Sequence, residues 1–197
     1  PAATNAPGAG TALSSGVSFT PNGQPPLYAS LEVAGVPRTA PAADASQIEV
    51  SRKFYTTEGK DWSGGSLVEG EALIVQVTIK AHSAMPDALL TDLLPAGLEI
   101  ENFNLGDAKQ WAGVVVDGIE LSERSSAAEV KHEEFRDDRY VAALKLGQNQ
   151  TARVFYLVRA VTPGTYTVPP SLVEDMYRPE MRGVGKASPA SLSVRQP

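Results

Sequence analysis

Hydrophobic residues recur at every second position over long parts of this chain, and Glu71–Ala81 (EALIVQVTIKA) shows the pattern best. Leu73, Val75, Val77 and Ile79 fall on one side, with Gln76, Thr78 and Lys80 on the other. Successive side chains of an extended strand point to opposite faces, so the alternation predicts a strand packed on one face. The same reasoning predicts strands over Ile48–Tyr55, Ala88–Leu94, Leu98–Leu105, Glu129–Phe135, Tyr140–Leu146, Thr151–Val161 and Ser191–Arg195. Pro86, Pro95, Pro163, Pro169, Pro170 and Pro179 are expected at or beyond strand ends, where a missing amide hydrogen does not harm a ladder. Asp137-Asp138, between Phe135 and Tyr140, suits a hairpin turn because short acids tolerate turn geometry. About seven or eight strands separated by turns predict an all-β chain folded as an antiparallel β-sandwich. Gly118–Ala128 is the one stretch expected to be helical.

The pattern is weaker before Ser46. Pro1–Gly16 (PAATNAPGAGTALSSG) is rich in Pro, Ala, Gly and Ser and carries no charged side chain, which reads as a linker. Val17–Thr20 and Leu27–Val33 are short strand candidates around the turn signal Pro21-Asn22-Gly23, and Val36–Ser46 reads as a connector. This divides the chain into residues 1–46 and residues 47–197. It starts at Pro1 with no charged n-region or apolar h-region, so any signal peptide or lipid anchor is expected upstream, and the chain reads as a fragment of a longer protein.

Of the 197 residues, 42% are hydrophobic and 20% charged, which suits a globular domain with a full core. A net charge of −6 and a pI near 5.0 provide no basic field for phosphate, so nucleic acid is not expected as a partner. There is no cysteine, which removes disulfides, thiolate nucleophiles and cysteine-based metal sites together. The apolar run Ala72–Val75 is broken by Gln76, and no stretch approaches the roughly 20 residues of a membrane helix, so direct membrane insertion is not expected.

Candidate chemistry is sparse. Glu133, Glu134, Asp137 and Asp138 form a carboxylate cluster, yet adjacent strand residues face opposite ways and Arg136 and Arg139 flank the acids. A turn with salt bridges is therefore preferred to calcium binding or acid–base catalysis. His82 and His132 lie on different segments with no ligand-type spacing, so no metal site is read. Ser63-Gly64-Gly65 lacks the Lys-Ser/Thr ending of a phosphate loop and reads as a turn. There is no Gly-x-Ser-x-Gly elbow, so no catalytic residue and no cofactor site are assigned. Trp62, Trp111 and Tyr166 are read as core or core-edge anchors. Met176 and Tyr177 stand between Glu174-Asp175 and Arg178-Pro179 in a Pro- and Gly-rich segment expected to present them on a loop. From the residues alone, one of the two packs under the loop and the other is incidental.

Four separated motifs add a further signal: DLLPAGLE (Asp92–Glu99), EFRDDRYVAAL (Glu134–Leu144), YLVRAVTPGTY (Tyr156–Tyr166) and VEDMYRP (Val173–Pro179). In order and spacing they resemble the C-terminal end of bacterial α2-macroglobulins, large protease-trapping proteins. The resemblance covers residues 47–197 best. It implies a C-terminal (tenth) macroglobulin domain with a fibronectin-III-like sandwich, and makes Gly23–Pro41 the end of a preceding CUB-like domain. It further implies that Met176 and Tyr177 pack on a helical thioester-type domain and lock a Cys-Gln thioester away from water until bait cleavage. The implied surroundings are the periplasm, with the parent anchored to the inner membrane by an upstream lipid. The implied partners are the thioester-type domain, target proteases met through the parent, and a periplasmic penicillin-binding protein.

Two rival readings stand beside this one. An immunoglobulin-like module of a bacterial surface adhesin has the same fold signature. A hydrolase requires a pocket that joins a serine, His132 and an acid.

Overall fold

The computed structural model describes residues 39–101 and 111–197, which belong to one unit spanning Pro37–Pro197. The strand candidates Val17–Thr20 and Leu27–Val33, and the end of the candidate Leu98–Leu105, lie outside the described residues.

Among the described residues are fifteen strands: β1 (Ile48–Thr56), β2 (Asp61–Trp62), β3 (Ser66–Val68), β4 (Ala72–Ala81), β5 (Met85–Leu93), β6 (Leu98–Glu101), β7 (Val115–Val116), β8 (Ile119–Glu120), β9 (Glu129–Arg136), β10 (Arg139–Leu146), β11 (Thr151–Ala160), β12 (Gly164–Thr167), β13 (Ser171–Asp175), β14 (Arg178–Val184) and β15 (Ser191–Arg195). Sheet I has the order β2-β1-β4-β11-β6 and sheet II the order β14-β13-β5-β10-β9, every neighbouring pair antiparallel. The expected antiparallel sandwich is what forms. A small sheet, β12-β15-β3, and the β7-β8 hairpin complete it.

The core lies between the two large sheets, where the inward residues predicted from the alternation meet: Val75, Val77 and Ile79 of β4 with Leu90, Tyr140 and Val173 of sheet II. The other face of β4 departs from expectation. Ile74 and Gln76 are buried as well, because Trp111, Val116 and Leu121 cover the outside of sheet I there and form a second apolar cluster with Tyr55, Phe155 and Leu157. Only beyond it do Thr78 and Lys80 open to solvent.

The helical stretch expected within Gly118–Ala128 is present as a 3₁₀ helix, Leu121–Ala127, which follows the short strand β8 and buries Leu121. Ser126 Oγ donates to the Glu123 carbonyl within it (2.8 Å), a local bond of the kind that competes with α-helical ones. Two further expectations are corrected. The Pro- and Gly-rich stretch after Val161, read as loop, carries β12, β13 and β14. Pro86 and Pro179 sit inside strands, each at the second residue. Pro86 fits because Pro86 and Asp87 together face Lys145 at a bulge, and Pro179 because β14 is an edge strand.

A buried charged cluster links the sheets. Arg52 on β1 donates from Nη1 to Asp92 Oδ1 on β5 at 2.5 Å, with side chains 2% and 0% exposed. Asp92 also accepts the hydroxyls of Ser171 (2.9 Å) and Tyr156 (2.6 Å), and Arg52 donates to the carbonyls of Leu93 and Pro169. Tyr156 stacks on Tyr140 with ring centroids 4.6 Å apart, and burial together with the Asp92 charge raises the Tyr156 phenol so that it stays a donor. At one end of the sandwich, Tyr166 lies against Gly97, where an added Cβ would fall 2.2 Å from a ring carbon, and donates to the carbonyls of Thr162 and Pro163.

Removing one member of a buried pair leaves the other charge uncompensated. We expect Asp92→Ala to cost about 3–5 kcal/mol, seen as a lowered urea midpoint with little change in slope. A midpoint within error of the parent chain would show that the cluster does not hold the sheets.

Candidate functional site

The carboxylates of the sequence analysis separate as the strand alternation requires. Asp137 and Asp138 form the β9–β10 turn; Asp138 pairs with Arg139 at 2.5 Å and Glu134 with Arg136 at 2.5 Å. Those arginines hold the Asp138 and Glu134 carboxyls below their ordinary values. Glu133 faces the core side and accepts the Tyr140 hydroxyl. His82 meets Glu49 at 3.0 Å and His132 meets Glu134 at 3.4 Å, on separate parts of the surface. Ser63-Gly64-Gly65 connects β2 to β3. Trp62 is half-buried, edge-on to Phe54 at 5.8 Å; Trp111 is buried and Tyr166 half-buried.

Ser122, Ser125, His132 and Glu133 do line one cleft of about 720 Å³. Their hydrogen bonds run elsewhere: Ser122 Oγ donates to Glu120 (2.9 Å), Glu133 takes Tyr140, and His132 turns to Glu134. A nucleophile must bond to its base, and among the described residues no serine hydroxyl bonds to a histidine; His82 Nδ1 meets only the backbone carbonyl of Ser46 (3.3 Å).

Met176 and Tyr177 form the two-residue turn of the β13–β14 hairpin, so the pair is presented by a tight strand connection and not by a long loop. Neither packs underneath: Met176 is 45% and Tyr177 79% exposed. The turn is fixed by residues on either side of them. Asp175 is buried, and its Oδ1 accepts the backbone N–H of Tyr177 and of Arg178, each at 3.0 Å. Its Oδ2 accepts Arg178 Nη2 (2.6 Å) and Nε (3.2 Å), and Arg178 reaches on to the Ala84 carbonyl (3.2 Å). Met176 N–H donates to the Asp87 carbonyl (3.0 Å), while Lys131 Nζ bonds Asp87 Oδ1 (2.8 Å) and the Pro86 carbonyl (2.6 Å). Two apolar side chains thus stand out from a base whose polar groups are satisfied. Asp-x-x-Arg across a two-residue turn was the available sequence signal, since a short acid caps the amides that follow it.

The four motifs fall on this frame: β5 into β6, the β9–β10 hairpin, β11 into β12, and the β13–β14 hairpin. The family model described as Bacterial Alpha-2-macroglobulin MG10 domain matches residues 48–180. The chain belongs to the bacterial α2-macroglobulin family. An α2-macroglobulin of Xylella fastidiosa strain 9a5c is 66% identical over 186 residues, covering 94% of this chain and 11% of the relative. The native α2-macroglobulin of Escherichia coli, solved by cryo-electron microscopy, superposes with a TM-score of 0.74 at 42% identity, over 82% of this chain and 10% of that one. A Salmonella α2-macroglobulin solved after reaction with methylamine gives 0.71 at 40% identity, over 83% and 10%. This chain spans about a tenth of the length of the α2-macroglobulins it matches. As a macroglobulin domain of that family it is set apart from the adhesin reading.

Arg178 first, then the Tyr177 amide, hold the Asp175 carboxyl below its ordinary value of 3.8, against the opposing effect of burial. A depressed folded-state value stabilises the turn above the unfolded value, and the benefit is lost as pH falls through the folded value. We expect amide exchange at Tyr177 and Arg178, corrected for intrinsic rate, to lose protection below pH 3.8. In Asp175→Asn, protection should be lower at neutral pH and insensitive to acid. Equal protection in both proteins at neutral pH would remove Asp175 as the clamp.

Proposed function

We propose that this domain works as the C-terminal latch of a protease-trapping α2-macroglobulin, with Met176 and Tyr177 pressed on the thioester-type domain of the parent. The observation that carries it is the hairpin tip: a thioether and a phenol ring held in solvent by a turn that Asp175 and Arg178 make rigid. Apolar and aromatic surface excludes water and nucleophiles from what it covers, and a methionine adapts to an irregular counter-surface. Pre-organisation lowers the ordering cost of docking, so a small contact can bias a large assembly.

The domain makes and breaks no bond in this scheme. Its part is a contact favoured in the native state and lost after bait cleavage, the differential interaction that a switch needs. Two descriptions of relatives support the scheme: the Escherichia coli protein activated by porcine elastase, and the Salmonella protein reacted with methylamine, an amine of the kind that opens a thioester. The proposed setting is the periplasm, with the parent lipid-anchored to the inner membrane and a penicillin-binding protein as neighbour.

The test uses the full-length protein, with thioester competence established first by thiol release on protease activation. Truncating a docked hot-spot pair costs about 2 kcal/mol or more, roughly thirty-fold in the docked-to-free ratio. Met176→Ala with Tyr177→Ala should therefore raise methylamine uptake before any protease is added, by up to that factor, with the melting temperature kept. A competent protein whose uptake is unchanged would not be latched by this tip.

A further inference from the structure

Edge strand β2 is two residues long and pairs with β1 only at Phe54–Trp62 and Tyr55–Asp61. Strand β1 extends back to Ile48 beyond it, so the ladder stops at Trp62 and the surface is indented there. Ser63-Gly64-Gly65 then carries the chain away, with φ of 124° and 125° at the two glycines, a backbone that residues with a Cβ rarely adopt. Two clefts result. One, of about 210 Å³, is walled by Trp62 and Pro189; the other, of about 650 Å³, is bordered by Trp62, Thr57, Glu71 and Arg159. Of the residues that line them, only Trp62 borders both.

Charged side chains elsewhere on this surface are paired, as Glu134 is with Arg136 and Lys145 with Glu129. In the smaller cleft they are not. Lys53 and Asp61 line it together with the hydroxyls of Ser63 and Ser188, and none of these four side chains has a hydrogen bond or ion pair among the described residues. In the larger cleft Thr57 is likewise without a side-chain partner, and one oxygen of Glu71 accepts the Val68 N–H (2.7 Å) while the other is free. Trp62 packs on the core edge-on to Phe54 but is only half-buried, and its indole N–H has no acceptor among the described residues.

Both signs of charge and several hydroxyls thus stand round one aromatic ring. An ionic ligand meets one of Lys53 and Asp61 favourably and the other unfavourably. A sugar meets both well: its hydroxyls donate to a carboxylate and accept from an ammonium, and the C–H face of its ring stacks on an indole. The larger cleft also falls within the roughly 300–1,000 Å³ of small-molecule sites.

We propose that the clefts on either side of Trp62 form a carbohydrate-binding site. Its ligand is a neutral oligosaccharide laid across the indole, with hydroxyls on Asp61 and Lys53 in one cleft and on Glu71 and Thr57 in the other. The site uses neither Met176 nor Tyr177, so it stands or falls separately from the latch reading.

The test is a saturation-transfer NMR titration of the full-length native protein with chitotetraose, cellotetraose and maltotetraose as probes. We expect at least one of them to bind with a Kd of about 1 mM or tighter. Trp62→Ala should weaken it about ten-fold through the lost stacking surface. Asp61→Asn, at an exposed position outside the core, should weaken it about five-fold, the worth of one hydrogen bond, with the melting temperature kept. Where Trp62→Ala fails to fold, Asp61→Asn decides. Binding by none of the probes overturns the proposal, as does binding that Asp61→Asn leaves unchanged. Nonaproline bound at Trp62 in place of the sugars would make the site a peptide groove and overturns it too.

Discussion

The Arg52–Asp92 pair is the constraint on which the rest of this sandwich depends. Two full charges are taken out of water between sheets I and II, and the arrangement is tolerable only because nearly every hydrogen bond they demand is supplied. Arg52 comes from β1, Asp92 from β5, Tyr156 from β11 and Ser171 from β13, while the carbonyls of Leu93 and Pro169 close the guanidinium. Apolar packing alone would accept a slide of one sheet on the other at modest cost. A carboxylate that needs three particular donors does not, so this cluster fixes the relative register of four strands from both layers.

That register is what positions the tip. Strand β5 carries Asp92 near its end and Asp87 near its start, and β13 pairs with it from Ser171 opposite Asp92 to Asp175 opposite Ala88. The bond from Met176 N–H to the Asp87 carbonyl is the next step of the same ladder. An inward Asp92 and an inward Asp175 thus follow from one pleat, the first locked by Arg52 and the second by Arg178. A buried acid at each end of β13's pairing turns a flexible Pro- and Gly-rich stretch into a rigid arm.

How legible this was in the sequence depends on how local each determinant is. The alternation in β4, β10 and β11 and the Asp137-Asp138 turn are properties of neighbouring residues, and they appear where the pattern places them. Strands β13 and β14 did not stand out, because SLVED and RPEMRGV mix charge, proline and glycine, and their extended form is imposed by pairing with β5. The burial of Ile74 and Gln76 was equally hidden: the segment that covers them lies over thirty residues away, and a period-two pattern cannot say which face will gain a lid. Asp92 gave no warning either. An acid in an alternating apolar run reads as an outward residue until its arginine, forty positions upstream, is known. The site followed the same division: Met176 and Tyr177 were visible as an odd pair in a polar setting, whereas the clamp beneath them needed the geometry.

The distribution of charge gives this arrangement its direction. The net charge is −6, and several of the surface ions find partners at short range within the same strand or the next. Pairs of that sort add little stability, but they cancel charge locally, as Arg178 does for Asp175 beneath Met176 and Tyr177. A partner that docks there is chosen by shape and by the water it displaces, with little steering from a distance. Such a contact forms readily only when its partner is held close, as a domain of the same polypeptide is, and it weakens sharply once that partner is moved away. Effective concentration, more than intrinsic affinity, then sets whether the arm is engaged.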